Sequence, residues 1–99
     1  MNALEVTVSE KEFMANVVEL ATLLGWRSYH THDSRRSAPG FPDCVFVRDA
    51  RLLFAELKTE RGRLTLPQRS WLAALRQCRG AEVYEWRPSD WLKIEAVLR

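Results

Sequence analysis

Cysteine is scarce in this chain. Cys44 and Cys78 stand alone, too few and too far from any motif for a disulfide framework or a cysteine zinc site. Histidine is scarcer in useful company: His30 and His32 have no further ligands at recognisable zinc spacing. No apolar run approaches the roughly 20 residues of a membrane span, and no signal-peptide pattern is visible. The expectation is a protein of the reducing cytoplasm with no membrane role. Internal repeats, linkers and low-complexity stretches are missing, and 99 residues point to one small domain. They leave little room for a separate recognition module. Net charge is also low, +2, which by itself implies no nucleic-acid partner. Lysine is rare too, three against twelve arginines, and arginine is the planar donor suited to phosphate.

The chain is rich in apolar residues, 46% with four tryptophans, ample for a single core. Charges placed inside its apolar runs therefore stand out. Cys44-Val45-Phe46-Val47 and Leu52-Leu53-Phe54-Ala55 are β-branched, aromatic or apolar and read as strands, with Arg48-Asp49-Ala50-Arg51 short enough between them for a hairpin loop. A turn at Asp49-Ala50 sets Arg48 opposite Arg51 and, in the same register, Asp43 opposite Glu56. An odd-length loop would turn the two acids to opposite faces.

Opposed side chains on paired strands have Cβ atoms roughly 4.5–5.5 Å apart, and like charges there are destabilising. Lys58 projects from the same face as Glu56, because strands alternate with period two. Two carboxylates and a lysine on one face suit a hard divalent ion such as Mg²⁺, which leaves other positions to water and substrate phosphates. The plainer alternative is a salt bridge between Glu56 and Lys58 at a strand end. Spacing alone leaves both open.

The remaining pattern predicts a helix over Ser9–Leu24, with Phe13, Val17, Leu20 and Leu24 on one stripe, Ser9 and Glu12 as a capping box, and Gly25 as the stop. A strand over Trp26–Thr31 and a polar loop over His32–Phe41 lead into the hairpin, Pro42–Lys58. A basic loop over Thr59–Leu64, a helix over Leu66–Arg79, a strand over Ala81–Trp86 and a helix over Ser89–Leu98 follow. The order is α-β-β-β-α-β-α: an α/β fold with a mixed sheet flanked by helices.

Four further groups are candidates for the site. Glu10 continues the buried stripe of the first helix and could reach the sheet, whereas Glu12 has a cap to serve. An acid that only complements the helix N-terminus is the alternative for Glu10. Gln68 caps the second helix with Thr65, which the sequence favours, or lends its amide to a water or phosphate. His30, Ser34, Arg35, Arg36 and Ser37 form a donor-dense stretch running into Pro42-Asp43, suited to phosphate or else a solvated loop. Arg61 and Arg63 make a second basic loop just after Lys58. Two basic loops flanking the acids favour a phosphodiester substrate over a small acid. The tryptophans read as core or interface.

Gly40-Phe41-Pro42-Asp43 followed by Glu56-Leu57-Lys58 resembles the PD-(D/E)XK nuclease signature. With Ser9-Glu10, Gly25-Trp26, His30-Thr31, Ser34-Arg35-Arg36-Ser37 and Gln68 in order, the chain is similar over nearly its whole length to a stand-alone VRR-NUC domain of phages and bacteria. The resemblance implies a restriction-endonuclease-like core and Mg²⁺- or Mn²⁺-dependent DNA cleavage in a bacterial or phage-infected cell. It implies Asp43, Glu56 and the Leu57 carbonyl as metal ligands, Lys58 beside the attacking water, and Gln68 and Glu10 completing the site. Small stand-alone members resemble Holliday-junction resolvases, which implies a homodimer acting on branched DNA. A nuclease for flaps or nicked duplex, or a non-catalytic nucleic-acid-binding module on the same fold, are the alternatives.

Overall fold

The computed structural model describes residues 8–31 and 37–99. Helix α1 spans Glu10–Leu23 and is capped by Ser9, whose Oγ accepts the Glu12 N–H at 3.1 Å and donates to the Glu12 carboxylate at the same distance. It ends in a Schellman motif. Trp26 N–H reaches the Ala21 carbonyl and Gly25 N–H the Thr22 carbonyl, with Gly25 at φ +89° where a Cβ would be penalised. Phe13, Val17 and Ala21 form its buried stripe.

Four strands follow in one sheet, β1 (Arg27–His30), β2 (Cys44–Arg48), β3 (Arg51–Leu57) and β4 (Ala81–Trp86), in spatial order 1-2-3-4. The β2–β3 hairpin has the even loop and the predicted register, with Arg48 opposite Arg51 and Cys44 opposite Ala55. Asp49 takes φ +55° in the turn, a region aspartate tolerates better than most residues. β1 pairs antiparallel with β2, whereas β4 runs parallel to β3. That change of sense needs a crossover, which helix α2 (Leu66–Arg76) supplies.

One sheet face carries Cys44, Phe46, Leu53, Ala55, Leu57 and Trp86, and α1 and the C-terminal helix α3 (Trp91–Leu98) bury it with Phe13, Val17, Ile94 and Leu98. The opposite face is covered at β3 and β4 by α2. Phe41 is wedged there, edge-on to Phe54 at 6.0 Å and to Trp71 at 5.0 Å. Towards β1 that face stays open: Tyr29, Val47 and Leu52 lie exposed on it.

Hairpin arginines hold the helices together. Arg48 donates to the carbonyls of Leu24, Leu98 and Arg99, tying the ends of α1 and α3 to the turn. Its guanidinium lies 4.5 Å from the Trp26 ring, and that of Arg51 4.9 Å. Arg51 also forks onto Glu82, with both bonds at 2.7 Å.

Two helix boundaries differ from the sequence expectation by two residues or more. α2 stops at Arg76 rather than Arg79, because the N–H groups of Gln77 and Cys78 bond three residues back and tighten the last turn. Residues 88–90 form a single 3-10 turn ahead of α3, with Asp90 Oδ2 accepting the Arg87 N–H.

Candidate functional site

The antiparallel ladder ends at Cys44–Ala55, and the site begins one residue further on. The Asp43 carbonyl receives the Thr31 N–H at 3.3 Å, and its carboxylate receives the Leu57 N–H at 2.8 Å. Asp43 is thus pinned between β1 and β3 at the mouth of the hairpin. Gly40 brings the preceding loop in. It sits at φ +89°, and a Cβ there would lie 2.6 Å from the Gln68 nitrogen. No side chain fits between this loop and the start of α2.

Glu10, Asp43 and Glu56 each place a carboxylate oxygen within 4.8 Å of the others. Among the described residues this is the one such acidic group of three. Glu10 reaches it from the first residue of α1, whereas Glu12 turns to its cap.

Glu56 is the anomaly. It is 1% exposed, and neither carboxylate oxygen has a hydrogen-bond partner. Its nearest cation is the Lys58 ammonium, 3.9 Å away, an ion pair without a hydrogen bond. Burial therefore pushes the Glu56 carboxyl up, to about 8, with the Asp43 charge adding to the shift, Lys58 opposing it and Glu10 reinforcing it. Two carboxylates have no donor between them, so Glu56 gains a hydrogen bond to Asp43 only by taking a proton. Glu10 is also raised, by burial first and then by Asp43, with Lys58 opposing. The neighbouring Cys44 thiol is pushed up to about 12 by burial, with the Asp43 and Glu56 charges adding, which keeps it an inert core group.

An unpartnered buried carboxylate costs free energy that natural proteins seldom leave uncompensated. Hard oxygen donors from three segments, gathered beside a cleft that Glu10 and Asp43 line, match the ligand preferences of Mg²⁺ or Mn²⁺. The residues present fit such an ion.

Gln68 caps α2, the role the sequence favours, and also faces the cleft. Its Oε1 accepts the Thr65 N–H at 2.8 Å, completing a capping box. The same side chain lines the cleft with Glu10, Thr31, Ser37, Gly40, Asp43 and Thr65. With its oxygen committed to the cap, Gln68 offers the cleft an NH₂ donor. Ser37 lies in the cleft as well. His30 lines an adjoining recess with Glu10, Lys11, Met14 and Thr31. Ser34, Arg35 and Arg36 lie outside the described residues.

Arg61 and Arg63 are exposed on the loop after β3. Arg63 shares a shallow recess with Leu64, Arg69, Glu85 and Arg87 on the far side of the α2 start. Arg69 and Arg87 escaped the sequence reading. Arg69 is one of several charges on a helix and Arg87 lies at a strand-to-helix junction, and neither setting marks a site in the sequence. The place of Arg87 against the loop after β3 depends on the parallel pairing of β4, which hairpin arithmetic does not reach. Thr31, at the end of β1, owes its place in the cleft to its backbone bond to Asp43.

Among the described residues no helix is long and apolar enough to cross a membrane. The family model of the VRR-NUC domain matches residues 3–88 of the chain. No curated protein and no solved structure matches it.

Proposed function

Because the chain belongs to the VRR-NUC family of PD-(D/E)XK nucleases, we propose that it is a metal-dependent endonuclease that hydrolyses phosphodiester bonds of DNA, with branched duplexes such as four-way junctions as its preferred substrate. The observation that carries this reading is the buried Glu56 carboxylate. It has no hydrogen-bond donor and stands within ligand distance of two further acids, beside a lysine. Binding nucleic acid alone has no need for clustered, buried carboxylates, so a purely non-catalytic module is the weaker reading.

Glu10, Asp43, Glu56 and the Leu57 carbonyl would hold Mg²⁺ or Mn²⁺. Such an ion supplies Lewis-acid stabilisation of phosphoryl charge and a lowered water pKa. Lys58 adds a positive charge where negative charge develops in the transition state and orients the attacking water. The Gln68 NH₂ donates to that water or to a phosphate oxygen. Arg61, Arg63 and Arg69 would take flanking phosphates beyond the start of α2. His30 and Ser37 would take them on the other, and Ser34, Arg35 and Arg36 suit phosphate by residue type. None of these elements is a major-groove reading helix, which favours recognition of shape over sequence.

We further assign a homodimer, since a two-fold pair of sites suits a symmetric junction. The uncovered apolar patch of Tyr29, Val47 and Leu52 beside edge strand β1 supports a self-contact. A cytoplasmic location in a bacterium or a phage-infected cell accompanies this reading.

The test compares cleavage of four-way junctions, flaps, splayed arms and plain duplex with Mg²⁺ or Mn²⁺, using the wild type, Asp43→Ala and Lys58→Ala. Both variants are expected to keep the fold and lose cleavage. Undiminished metal-dependent cutting by either would overturn the assignment of the site. A monomer that prefers flaps would overturn the junction-and-dimer part alone.

A further inference from the structure

Lys58 leaves the sheet at the end of β3 and yet is held firmly. Its N–H bonds the Trp86 carbonyl at 2.9 Å, and its side chain is only 12% exposed. The loop of residues 59–62 folds back over it. A Cβ at Gly62 would stand 3.5 Å from Lys58 Cδ, so the glycine backbone lies against the lysine stem. A four-residue loop cannot hold that position by its own single backbone bond, Gly62 N–H to the Thr59 carbonyl.

Arg87 holds it. The guanidinium donates to the carbonyls of Thr59, Glu60 and Gly62, filling the concave side of the loop with one planar cation. Its other nitrogen donates to Glu85 at 2.8 Å. Glu85 is the β4 partner of Glu56 in the parallel register, so the two acids project from the same sheet face. A lysine at the end of β3 therefore has two carboxylates to choose from. Arg87 occupies one of them and leaves Lys58 to Glu56. Glu60 secures the loop from outside through the Ser89 N–H and hydroxyl.

We propose that Arg87 is a positioning residue for Lys58: its guanidinium locks the 59–62 loop over the lysine stem and withholds Glu85, so that the ammonium stays at the acid cluster. The catalytic consequence rests on the nuclease reading, whereas the placement of Lys58 does not. Lysine could not replace Arg87, because a point charge cannot fork onto three carbonyls and a carboxylate together.

The placement can be read directly, since the chain has only three lysines and the other two, Lys11 and Lys93, are exposed. Reductive methylation with ¹³C-formaldehyde, followed by NMR, would report the reactivity of each in the wild type, Arg87→Ala and Arg87→Gln. Circular dichroism confirms the fold, and Arg87→Gln serves if Arg87→Ala does not fold. Lys58 is expected to be at least tenfold less reactive than Lys11 and Lys93 in the wild type and to approach them in either variant. On a cleaved substrate, kcat should fall about tenfold or more with KM little changed. A folded variant in which Lys58 stays protected overturns the proposal, as does one in which KM alone changes. If the wild type cuts no DNA, the nuclease reading fails, and the methylation result still decides the clamp.

Discussion

The Lys58 ammonium stands 3.9 Å from the Glu56 carboxylate, close enough to temper its charge and too far to hydrogen-bond it. The pair leaves both Glu56 oxygens available inside a protein interior. In the absence of an ion such an arrangement is unfavourable, and several consequences can be measured.

Glu56→Gln removes the buried charge while keeping the shape. At pH 8 the metal-free variant should be more stable than the wild type, by about 1–3 kcal/mol if the full desolvation penalty is relieved, which thermal denaturation would register as a rise of several degrees. The same variant should lose the stabilisation that Mg²⁺ or Mn²⁺ confers on the wild type. A variant less stable than the wild type without metal would show that Glu56 is compensated after all.

The pH dependence has a definite sign. Glu56 ionises at 4.5 in its ordinary state and at about 8 in the fold. Between those values the folded protein binds more protons than the unfolded chain, so stability must fall as pH rises. This penalty is absent below the lower value and complete above the upper one, and Glu10, also raised, adds in the same direction. Metal affinity should tighten across the same window with release of a proton. Titration calorimetry in buffers of different ionisation enthalpy would count that proton.

Gln68 can be divided into its two roles. Gln68→Ala removes the cap bond and the amide together, at a cost of about 1 kcal/mol and with a loss of cleavage. Gln68→Glu retains an oxygen for the Thr65 N–H but has no NH₂. It should melt within a degree or two of the wild type and still cleave poorly. Full cleavage by Gln68→Glu would confine Gln68 to capping.

Gly40→Ala and Gly80→Ala separate strain from fit. Both positions have positive φ, at 89° and 82°, but a Cβ at Gly80 meets nothing within 4 Å. Gly80→Ala should cost about 1 kcal/mol, the ordinary backbone penalty, and leave cleavage alone. Gly40→Ala drives a methyl into the backbone of Pro67 and Gln68 and should cost at least about 2 kcal/mol more. It should lower cleavage too, because the loop it displaces ends at Asp43. Chemical denaturation of the two variants would rank them.

Much of the architecture was legible because it is local. Loop parity and strand alternation put Asp43 and Glu56 on one face, and caps at Ser9 and Thr65 located the starts of two helices. The choice of Glu10 over Glu12 followed from the buried stripe of α1. Whatever depends on contacts between distant segments was hidden. Arg87 belongs to the site's surroundings only because β4 lies parallel to β3, and no short-range pattern encodes a crossover partner. The clamping of α1 and α3 by Arg48 was equally invisible, since an arginine in a hairpin looks like any surface charge.

The three acids also differ in when they can meet. Asp43 and Glu56 flank one tight hairpin, a structure that forms on the microsecond scale. Glu10 must wait for α1 to dock across the sheet, a non-local step that pays loop-closure entropy first. A chain caught part-way through folding therefore carries two of the three carboxylates and lacks the complete cluster. The complete three-acid cluster is thereby a mark of the finished fold: only a chain whose first helix has docked on the sheet presents it.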